Sequence, residues 1–351
     1  MDLRQFNPLK VLNHWETLKV IISGKNPFPV SCEIDPSNIC NHNCIWCIND
    51  RFRKLNKVMI PKELMFRIIR EIAGCGVKSI AFTGGGEPLM NPASIAAIQL
   101  TKKMRLDAGI VTNGELLDPE KCQAIVDNCS YVRISLDAGT RRTHTIVHAP
   151  VGTHKDAYRK ILDNIALLVK YRQKNKKHIT VGIGYLVNLD NYHEIAKAAK
   201  LVRDLGVDYI QIRPAFMPGK QLSEKIRLEA ERLIQETLAL SGREFYVFPI
   251  LHRFDEVINL DRAYDRCLGH GLVGVVAANA KMYICCQLRG IEAFCIGDLR
   301  RASFSGIWKG KRRSAVVQSI DLNRCPPCRY NKYNEILDYL ASENKPHKNF
   351  L

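Results

Sequence analysis

The first two thirds of the chain alternate short apolar segments with longer amphipathic ones. Six short segments have the length and apolar content of strands, at residues 31–35, 78–83, 108–112, 131–137, 179–188 and 207–214. The amphipathic segments predict helices at residues 61–74, 91–104, 117–128, 155–173, 191–205 and 222–240. Strands that alternate with helices in this order predict parallel β/α units, because a helix is the usual crossover between parallel strands.

Polar motifs follow the first four predicted strands. They read "CNHNCIWC" after the first, "GGGEP" after the second, "TNG" at the end of the third and "SLDAG" at the end of the fourth. In a barrel of parallel strands the active site is built at the carboxyl edge of the strands. We therefore predict an α/β fold, a partial (β/α)6 TIM-like barrel, with these four motifs at one edge.

The pattern changes near residue 262, where cysteines, glycines and short strands replace the β/α units, and a helix is expected from about residue 331. We therefore divide the chain into a helical lead, a barrel, a linker, a small domain and a terminal helix with its tail. Their predicted bounds are 1–30, 31–240, 241–261, 262–330 and 331–351.

The composition is typical of a globular protein, and the number of cysteines indicates metal binding. It has 351 residues, 46% hydrophobic and 25% charged, with 13 cysteines. The first 30 residues do not read as a secretion signal, and no apolar run is long enough to span a membrane. We expect a cytoplasmic protein without a membrane partner, whose clustered cysteines bind metal rather than form disulfides.

The net charge of +17 is concentrated in basic runs at residues 51–57, 170–178 and 300–313. Such a surface attracts anions, including phosphate and nucleic acid. No nucleic-acid-binding motif accompanies the charge. We interpret it as a solvated basic face, do not expect a nucleic-acid partner, and consider an anionic small molecule compatible with it.

Three closely spaced cysteines, Cys40, Cys44 and Cys47, form the first candidate metal site. A structural zinc or iron site normally has four protein ligands. Three thiolates therefore either recruit a distant fourth ligand or leave one metal position open for chemistry.

The four motifs together resemble those of the radical SAM superfamily, whose CxxxCxxC loop precedes a GGE motif and later strand-end motifs. The resemblance implies that Cys40, Cys44 and Cys47 bind three irons of a [4Fe-4S] cluster, and that S-adenosylmethionine (SAM) chelates the open iron. It also implies reductive cleavage of SAM to a 5'-deoxyadenosyl radical and an electron donor of flavodoxin or ferredoxin type.

The resemblance further implies a set of SAM contacts. The glycines of "GGGEP" would let the backbone approach the methionine moiety, and Glu87 would accept hydrogen bonds from its ammonium. Asn113 and Ser135 would contact ribose hydroxyls or the methionine carboxylate, and Trp46 would lie beside the adenine or shield the cluster. The expected cofactor-binding residues are Trp46, Gly84, Gly85, Gly86, Glu87, Asn113 and Ser135.

Side-chain alternation predicts a polar cavity independently of the family. Arg133, Ser135 and Asp137 share one face of the fourth strand, and Tyr209, Gln211 and Arg213 share one face of the sixth. The arginines could instead form structural ion pairs at the rim. His144 and His148 could bind substrate or move protons, or lie in a surface loop. The candidate catalytic residues are Arg133, Asp137, His144, His148, Gln211, Arg213 and Cys295.

The C-terminal cysteines form a second candidate metal site. A CxxC pair with upstream cysteines indicates metal binding, and here the order resembles the SPASM/Twitch extension of radical SAM proteins, closest to its single-cluster Twitch form. This implies an auxiliary [4Fe-4S] cluster in a β-hairpin and helix domain. Its expected ligands are Cys267, Cys285, Cys325 and Cys328.

The remaining cysteines have other expected roles. Cys286 could replace Cys285 as a ligand, because adjacent thiols cannot be ranked from sequence. Cys295 is spare, and either thiol could donate hydrogen to a carbon radical. The other cysteines fall in strand or helix contexts typical of small buried thiols, at Cys32, Cys75, Cys122 and Cys129.

The small domain resembles that of the radical SAM 2-deoxy-scyllo-inosamine dehydrogenase group. This implies that the substrate radical loses a proton to a base and an electron to the auxiliary cluster, giving a ketone. We expect a small polar metabolite of sugar, aminocyclitol or nucleoside type to be oxidised or epimerised in a biosynthetic pathway.

A peptide-modifying enzyme is the alternative. Many such enzymes carry an N-terminal recognition domain of about 80 residues, whereas 39 residues precede Cys40 here; a separate recognition protein keeps this alternative open. A zinc or redox-sensing protein that binds nucleic acid would leave "GGGEP", "TNG" and "SLDAG" unexplained.

Overall fold

A computed structural model describes residues 6–55, 57–152, 156–216 and 221–343, together with residues 345, 347 and 349. One ten-stranded sheet runs through this part of the chain, in the order β10-β9-β8-β1-β2-β3-β4-β5-β6-β7. Its strands are β1 (Ser31–Ile34), β2 (Ser79–Phe82), β3 (Asp107–Thr112), β4 (Tyr131–Ser135), β5 (Thr180–Val187), β6 (Tyr209–Pro214), β7 (Tyr246–Pro249), β8 (Val273–Val276), β9 (Lys281–Tyr283) and β10 (Cys295–Asp298).

Helices connect the parallel strands and cover their apolar face, and further helices lie before the first strand, after the first cysteine loop and in the C-terminal region. They are α1 (Trp15–Ile22), α2 (Asp50–Leu55), α3 (Lys62–Gly74), α4 (Ser94–Lys103), α5 (Pro119–Asn128), α6 (Arg141–His148), α7 (Ala157–Lys174), α8 (Ile195–Asp204), α9 (Glu224–Thr237), α10 (His252–Glu256), α11 (Phe304–Trp308), α12 (Lys311–Gln318) and α13 (Asn331–Ala341). Asp118, Thr140 and Asp156 cap the N-termini of α5, α6 and α7 with their side-chain oxygens.

The prediction of a parallel α/β fold is confirmed, because β1 to β6 pair in parallel in chain order. Successive side chains of each strand point to opposite faces of the sheet. On β4, Val132 and Ile134 are fully buried under the helices, whereas Tyr131, Arg133 and Ser135 are only partly covered. We call the space on this second face, bordered by the inner side chains of the parallel strands, the lumen.

Several elements were not predicted, among them the short helices α2, α10, α11 and α12, the strand β7 and the helix α6. The region 241–261, expected as a linker, contains β7, which pairs in parallel with β6. Its four residues are too few to show a recognisable alternation. Helix α6 lies where only a loop with two histidines was expected, because its buried face consists of Thr143, His144, Val147 and His148 rather than apolar residues alone. Parts of the predicted lead, the 155–173 helix and the tail fall outside the described residues.

The C-terminal region extends the barrel sheet instead of forming a separate sheet. β8 pairs in parallel with β1, from Ser31↔Val273 to Ile34↔Val276, and β9 and β10 add antiparallel strands beyond it. Gly274 permits this close pairing, since an added Cβ would lie 2.8 Å from the Cys32 sulfur. β1 therefore has a barrel strand on one side and the C-terminal hairpin on the other.

Buried ion pairs join the inner face of β1 to the C-terminal region. Arg289 Nη2 lies 2.6 Å from Glu33 Oε2, and Arg289 Nε lies 2.8 Å from Asp35 Oδ2. Arg329 Nη1 lies 2.8 Å from the other oxygen of Glu33. Burial opposes ionisation of Glu33, but Arg329 and Arg289 lower its pKa below the ordinary value. Both arginines lie close in sequence to cysteines of the second candidate metal site.

No described helix combines the length and the apolar character needed to cross a membrane.

We predict that Arg289→Gln lowers the free energy of unfolding by about 3–5 kcal/mol, because it leaves two buried carboxylates without their shared cation. Denaturant unfolding followed by circular dichroism measures this. Arg159→Gln is the matched control, since Arg159 pairs with Asp163 on the surface and exposed pairs contribute about 0–1 kcal/mol. Equal losses in the two variants would contradict the prediction.

Candidate active site

The loop with Cys40, Cys44 and Cys47 follows β1 at the carboxyl edge of the sheet. It is held against the C-terminal end of α6 by backbone hydrogen bonds from Asn43 N to His148 O (3.1 Å) and from Ile45 N to Val147 O (3.1 Å). Arg53 donates to the carbonyl of His42 at 2.7 Å from within α2. The loop thus has partners on both sides, although it contains no regular secondary structure.

A series of hydrogen-bonded polar side chains, most of them buried, supports this loop on its inner side. Asn113 Nδ2 donates to Asn41 Oδ1 (2.8 Å), Asn41 Nδ2 donates to Glu115 Oε2 (2.8 Å), and His42 Nε2 lies 2.7 Å from the same carboxylate oxygen. His42 Nδ1 lies 3.3 Å from His148 Nδ1. The series therefore connects the loop to the end of β3 and to α6.

His148 contacts the cysteine loop directly. Its Nδ1 lies 3.4 Å from the Cys44 sulfur, and its Nε2 lies 3.2 Å from Asp137 Oδ2. Burial disfavours the charged ring, but the Cys44 thiolate and the Asp137 carboxylate raise the pKa of His148 to about 10. His148 and Asp137, expected as candidate catalytic residues, thus lie together beside the first cysteine site.

His144 stacks on His148 with ring centroids 4.6 Å apart and is 1% exposed. Burial, with the nearby His148 and His42, lowers its pKa to about 2, so the ring is neutral near pH 7. Both histidines lie on the buried face of α6 rather than in a surface loop.

The glycines of "GGGEP" pack against the cysteine loop. A Cβ on Gly86 would lie 2.3 Å from the Ile39 carbonyl oxygen, and one on Gly85 would lie 2.7 Å from the Phe52 ring. Gly86 N donates to Ser37 O (3.0 Å) and Glu87 N donates to Ile39 O (2.9 Å). We expected the backbone of these glycines to approach the methionine moiety of SAM closely. In the structure this backbone closely approaches the segment that leads into Cys40.

Glu87 is 2% exposed, and its carboxylate is held by protein donors. Thr112 Oγ1 (2.6 Å) and Leu89 N (3.0 Å) donate to Oε1, and Asn113 N (2.8 Å) donates to Oε2. Burial raises the pKa of Glu87, which these three donors oppose. The side chain thereby ties the end of β2 to the end of β3.

The other expected SAM contacts lie at the same edge. Asn113 faces Asn41 of the cysteine loop, and Ser135 ends β4 on the lumen side. Trp46 is 6% exposed, and its Nε1 donates to Asp190 Oδ2 at 3.3 Å in the connection after β5. Their roles toward SAM remain predictions.

Glu194 is a buried supporting residue that the sequence did not reveal. It accepts hydrogen bonds from Gly139 N (2.8 Å), Thr140 Oγ1 (2.7 Å) and Thr143 Oγ1 (2.9 Å). It fixes the "SLDAG" turn and the start of α6 from a 3₁₀ turn at Tyr192–Glu194. No sequence spacing connects these residues, because the contact spans more than fifty positions.

The structure places Arg133, Gln211 and Arg213 on the lumen face, as alternation predicted. Arg133 Nη1 donates to Gln211 Oε1 at 3.1 Å. Within the described part of the chain, neither Arg133 nor Arg213 forms an ion pair with a carboxylate. The alternative of rim ion pairs for these two arginines therefore finds no support in the described residues.

The cysteines of the second candidate metal site lie near one another, and their assignment as the four cluster ligands stays a prediction. Burial, with the Cys328 and Cys325 thiolates close by, raises the pKa of Cys267 to about 11. The hydrogen bond with the Cys286 thiol and burial raise the pKa of Cys285, and the nearby Cys267 adds to this effect. Asn334 of α13 donates to the Cys328 sulfur at 3.6 Å and accepts from Leu268 N at 2.8 Å. This buried asparagine, which sequence analysis missed, holds the loop of Cys267 against that of Cys328.

Cys285 and Cys286 have different surroundings. The two thiols hydrogen-bond to each other, but their other neighbours differ, since Cys267 acts on Cys285 whereas Glu33, Arg329 and Arg289 act on Cys286. Arg329 Nη1 lies 3.9 Å from the Cys286 sulfur. We therefore propose Cys285 as the fourth ligand.

Cys295 lies apart from both sites. It packs with Phe52, Ala277 and Tyr283, and its charged neighbours are Glu292, Lys281 and Arg312. These surroundings give it no contact with the lumen residues, so they do not support it as a candidate hydrogen donor.

Both cysteine sets offer thiolate ligands, as iron-sulfur clusters require. The buried histidines His42, His144 and His148 form a separate group, whose candidate ligand nitrogens all lie within 4.8 Å of one another beside the first cysteine loop.

Comparison with protein families finds two matching models. The Radical SAM superfamily model matches residues 34–202, and the SPASM model, described as an iron-sulfur cluster-binding domain, matches residues 267–330. The first covers the cysteine loop and the strand-end motifs, and the second covers all four cysteines of the second site.

Curated relatives are distant. The chain is 21% identical to the tungsten-containing aldehyde ferredoxin oxidoreductase cofactor-modifying protein of Pyrococcus furiosus, over 78% of this chain and 79% of the relative. It is 24% identical to PqqA peptide cyclase of Gluconobacter oxydans, over 58% of each. It is 23% identical to AdoMet-dependent heme synthase of Methanosarcina barkeri, over 87% and 92%.

Solved structures share the fold. Streptococcus suis SuiB bound to S-adenosylmethionine matches with a TM-score of 0.66 at 14% identity, over 90% of this chain and 72% of SuiB. Native anSMEcpe with bound AdoMet matches with a TM-score of 0.61 at 16% identity, over 83% of each chain. These likenesses confirm the TIM-like fold expected from the sequence.

We predict that Gly86→Ala prevents stable assembly of the first site, because the new Cβ would collide with the backbone that leads to Cys40. Iron content after anaerobic reconstitution should fall by about four per chain. Gly74→Ala is the control, since nothing lies within 4 Å of a Cβ added there. Retention of full iron content in Gly86→Ala would contradict the packing argument.

We predict that Cys285→Ala removes about four irons per chain, whereas Cys286→Ala keeps them, because Cys267 acts on Cys285 whereas Cys286 is next to Glu33 and Arg329. Iron and sulfide analysis with electron paramagnetic resonance distinguishes the variants. The reverse result would make Cys286 the ligand.

Proposed function

The chain is a radical SAM protein with an SPASM domain, and from this premise we propose that it oxidises or epimerises a small polar metabolite. The expected class is a sugar, aminocyclitol or nucleoside-type intermediate. The radical SAM domain binds a [4Fe-4S] cluster and SAM, and the SPASM domain binds auxiliary iron-sulfur. When bound, these groups supply the electron that cleaves SAM and an acceptor for an electron from the substrate.

Particular side chains of this protein would hold these groups. Cys40, Cys44 and Cys47 would ligate the first cluster, and Cys267, Cys285, Cys325 and Cys328 would ligate the second. The series of polar side chains from Asn113 to His148 positions the first loop. Asn334 and Arg262, which donates to the Cys325 and Pro326 carbonyls at 3.0 and 3.1 Å, position the second site.

The observation that carries the proposal is the contact between the second site and the lumen. Arg329 follows Cys328 and reaches Glu33 on the inner face of β1. Cys286 follows Cys285 and lies next to Arg329. An electron acceptor in this position would suit oxidation: removal of the C–H hydrogen atom from an alcohol carbon leaves a carbon radical, which would give its O–H proton to a base and its unpaired electron to the acceptor and become a ketone.

Epimerisation needs a hydrogen atom returned to the same carbon instead. Cys286 is the candidate donor, since its sulfur lies 3.9 Å from Arg329 Nη1, which also reaches Glu33 on the inner face of β1, and its S–H bond is weak enough to quench a carbon radical. The electron balance then closes only if the resulting thiyl radical is reduced again by the reductant that supplies the enzyme. A flavodoxin- or ferredoxin-like donor is the expected source.

A peptide substrate is the second candidate. The similarity to PqqA peptide cyclase supports it. The two hypotheses differ in what stimulates SAM cleavage, since a peptide modifier requires its precursor peptide and a metabolite enzyme does not.

The first test is iron and sulfide per chain after anaerobic reconstitution, with 5'-deoxyadenosine formation under reduction. Two four-iron clusters should give about eight irons, and Cys40/Cys44/Cys47→Ala should keep about four and lose SAM cleavage. About four irons in the unmodified protein, all lost in that variant, would exclude a second cluster and the oxidation with it.

The second test separates oxidation from epimerisation. Reaction with a responsive sugar or cyclitol in deuterated water should leave no deuterium at the reacting carbon of a ketone product. An epimer should gain one deuterium, and Cys286→Ala should then abolish its formation while 5'-deoxyadenosine still appears. Stimulation of SAM cleavage by peptides alone would refute the metabolite proposal.

A further inference from the structure

Solvent reaches the inner faces of the strands that border the lumen, whereas the outer faces of the same strands are buried. On β2, Ser79 and Ala81 are partly accessible while Ile80 and Phe82 are buried, and β4 shows the same alternation. Central strands of a sheet usually have both faces covered. The inner faces of β2 and β4 therefore border open space large enough for solvent.

Aromatic side chains close the amino-terminal end of this space. A Cβ on Gly182 would lie 2.1 Å from the Tyr209 ring, and one on Gly109 would lie 2.2 Å from the Tyr131 ring. Each ring therefore lies across a neighbouring strand that lacks a side chain. Phe6 contacts the Tyr209 ring edge-on at 4.8 Å. The lumen thus has an aromatic floor, and its open end is the edge with the cysteine loop.

Arginines line the lumen above this floor. Arg133 packs over Gly184, with its Cδ and Nε 3.8 Å from where a Cβ would be, and it donates to Gln211. Arg213 presents a buried Nε that has no hydrogen-bond partner among the described residues. A planar guanidinium with unused donors is suited to a carboxylate or phosphate.

Two more cations lie near these arginines, Arg253 in α10 and Arg329 after Cys328. Arg253 Nη2 donates to the carbonyl of Arg329 at 2.8 Å, and the Arg329 side chain is 41% exposed although it reaches Glu33 on a central strand. Burial, with the charges of Arg133, Arg329 and Arg253, lowers the pKa of Arg213 to about 9. The four guanidinium groups are therefore close enough to repel one another.

The acidic groups around the lumen already have cationic partners. Glu33 and Asp35 face Arg289 and Arg329, and Asp137 faces His148. Glu256 lies 3.8 Å from Arg253. Arg133 and Arg213 form no close ion pair among the described residues, because the nearby Glu33 and Asp137, which act on Arg133 and Arg213 respectively, are already paired with other cations. Clustered cations without counter-charge are costly to bury, so an anion between them would be stabilising.

We propose that Arg133 and Arg213 bind an oxyanion of the substrate, a carboxylate or phosphate group, so that the enzyme acts on an acid or a phosphate ester rather than on a neutral metabolite. This rests on the proposed function and specifies its substrate class. The oxyanion would lie above the aromatic floor, with the reacting carbon directed toward the cysteine loop.

The test is calorimetric titration of the reconstituted holoenzyme, saturated with SAM at constant ionic strength, with inorganic phosphate and separately with acetate. We expect saturable binding of one anion, weakened at least tenfold in Arg133→Gln and Arg213→Gln. Arg232→Gln is the control, since Arg232 pairs with Glu229 and Glu236 on the surface. Phosphate binding would indicate a phosphate ester, and acetate binding a carboxylic acid.

Several outcomes would overturn the proposal. They are no saturable binding of either anion, equal affinity in all variants, or a parallel tenfold loss of SAM affinity, which would assign the arginines to the SAM carboxylate. Arg133→Lys should recover part of the affinity if charge is required, and iron content verifies that each variant is assembled. Failure of the proposed function would instead appear as SAM cleavage that is stimulated by peptides alone, whatever the anion result.

Discussion

The arrangement of both cysteine sites depends on the position of β1 between its two neighbouring strands, β2 and β8. Its backbone pairs with β2 on one side and β8 on the other, so both cysteine sites are built on one sheet. Its inner carboxylates, Glu33 and Asp35, bind Arg289 and Arg329 from the C-terminal region. Because these charges are buried, loss of one partner costs far more than loss of a surface pair. The same contacts bring Cys286 and the second site against the lumen.

The first cysteine loop depends on packing rather than on secondary structure. Gly86 allows the "GGGEP" backbone to approach the segment before Cys40 so closely that no Cβ would fit. Glu87 then fixes this turn to the end of β3 through buried hydrogen bonds. His148 completes the support from α6 by its contact with Cys44. Three motifs that are far apart in sequence thereby fix the geometry of one loop.

The arginine side chains that face the lumen make it positively charged. The excess of basic residues along the chain looked like a solvated surface property, and many of these residues are exposed. A small subset instead faces the interior, where Arg133 and Arg213 have no carboxylate partner among the described residues. Their positions on β4 and β6 follow from alternation, but the lack of counter-charge depends on which acids the rest of the fold neutralises.

The sequence by itself determined the β/α order, the six parallel strands, the motifs at their ends and the two cysteine sets, because these depend on local periodicity and short spacing. It did not reveal β7, whose four residues carry no clear period, or α6, whose buried face is partly polar. Only the tertiary structure decided that Cys285 and Cys286 face different surroundings, that Glu194 and Asn334 support the two sites, and that the C-terminal hairpin extends the barrel sheet. Those features depend on contacts between residues far apart in the chain, and local patterns carry no information about such contacts.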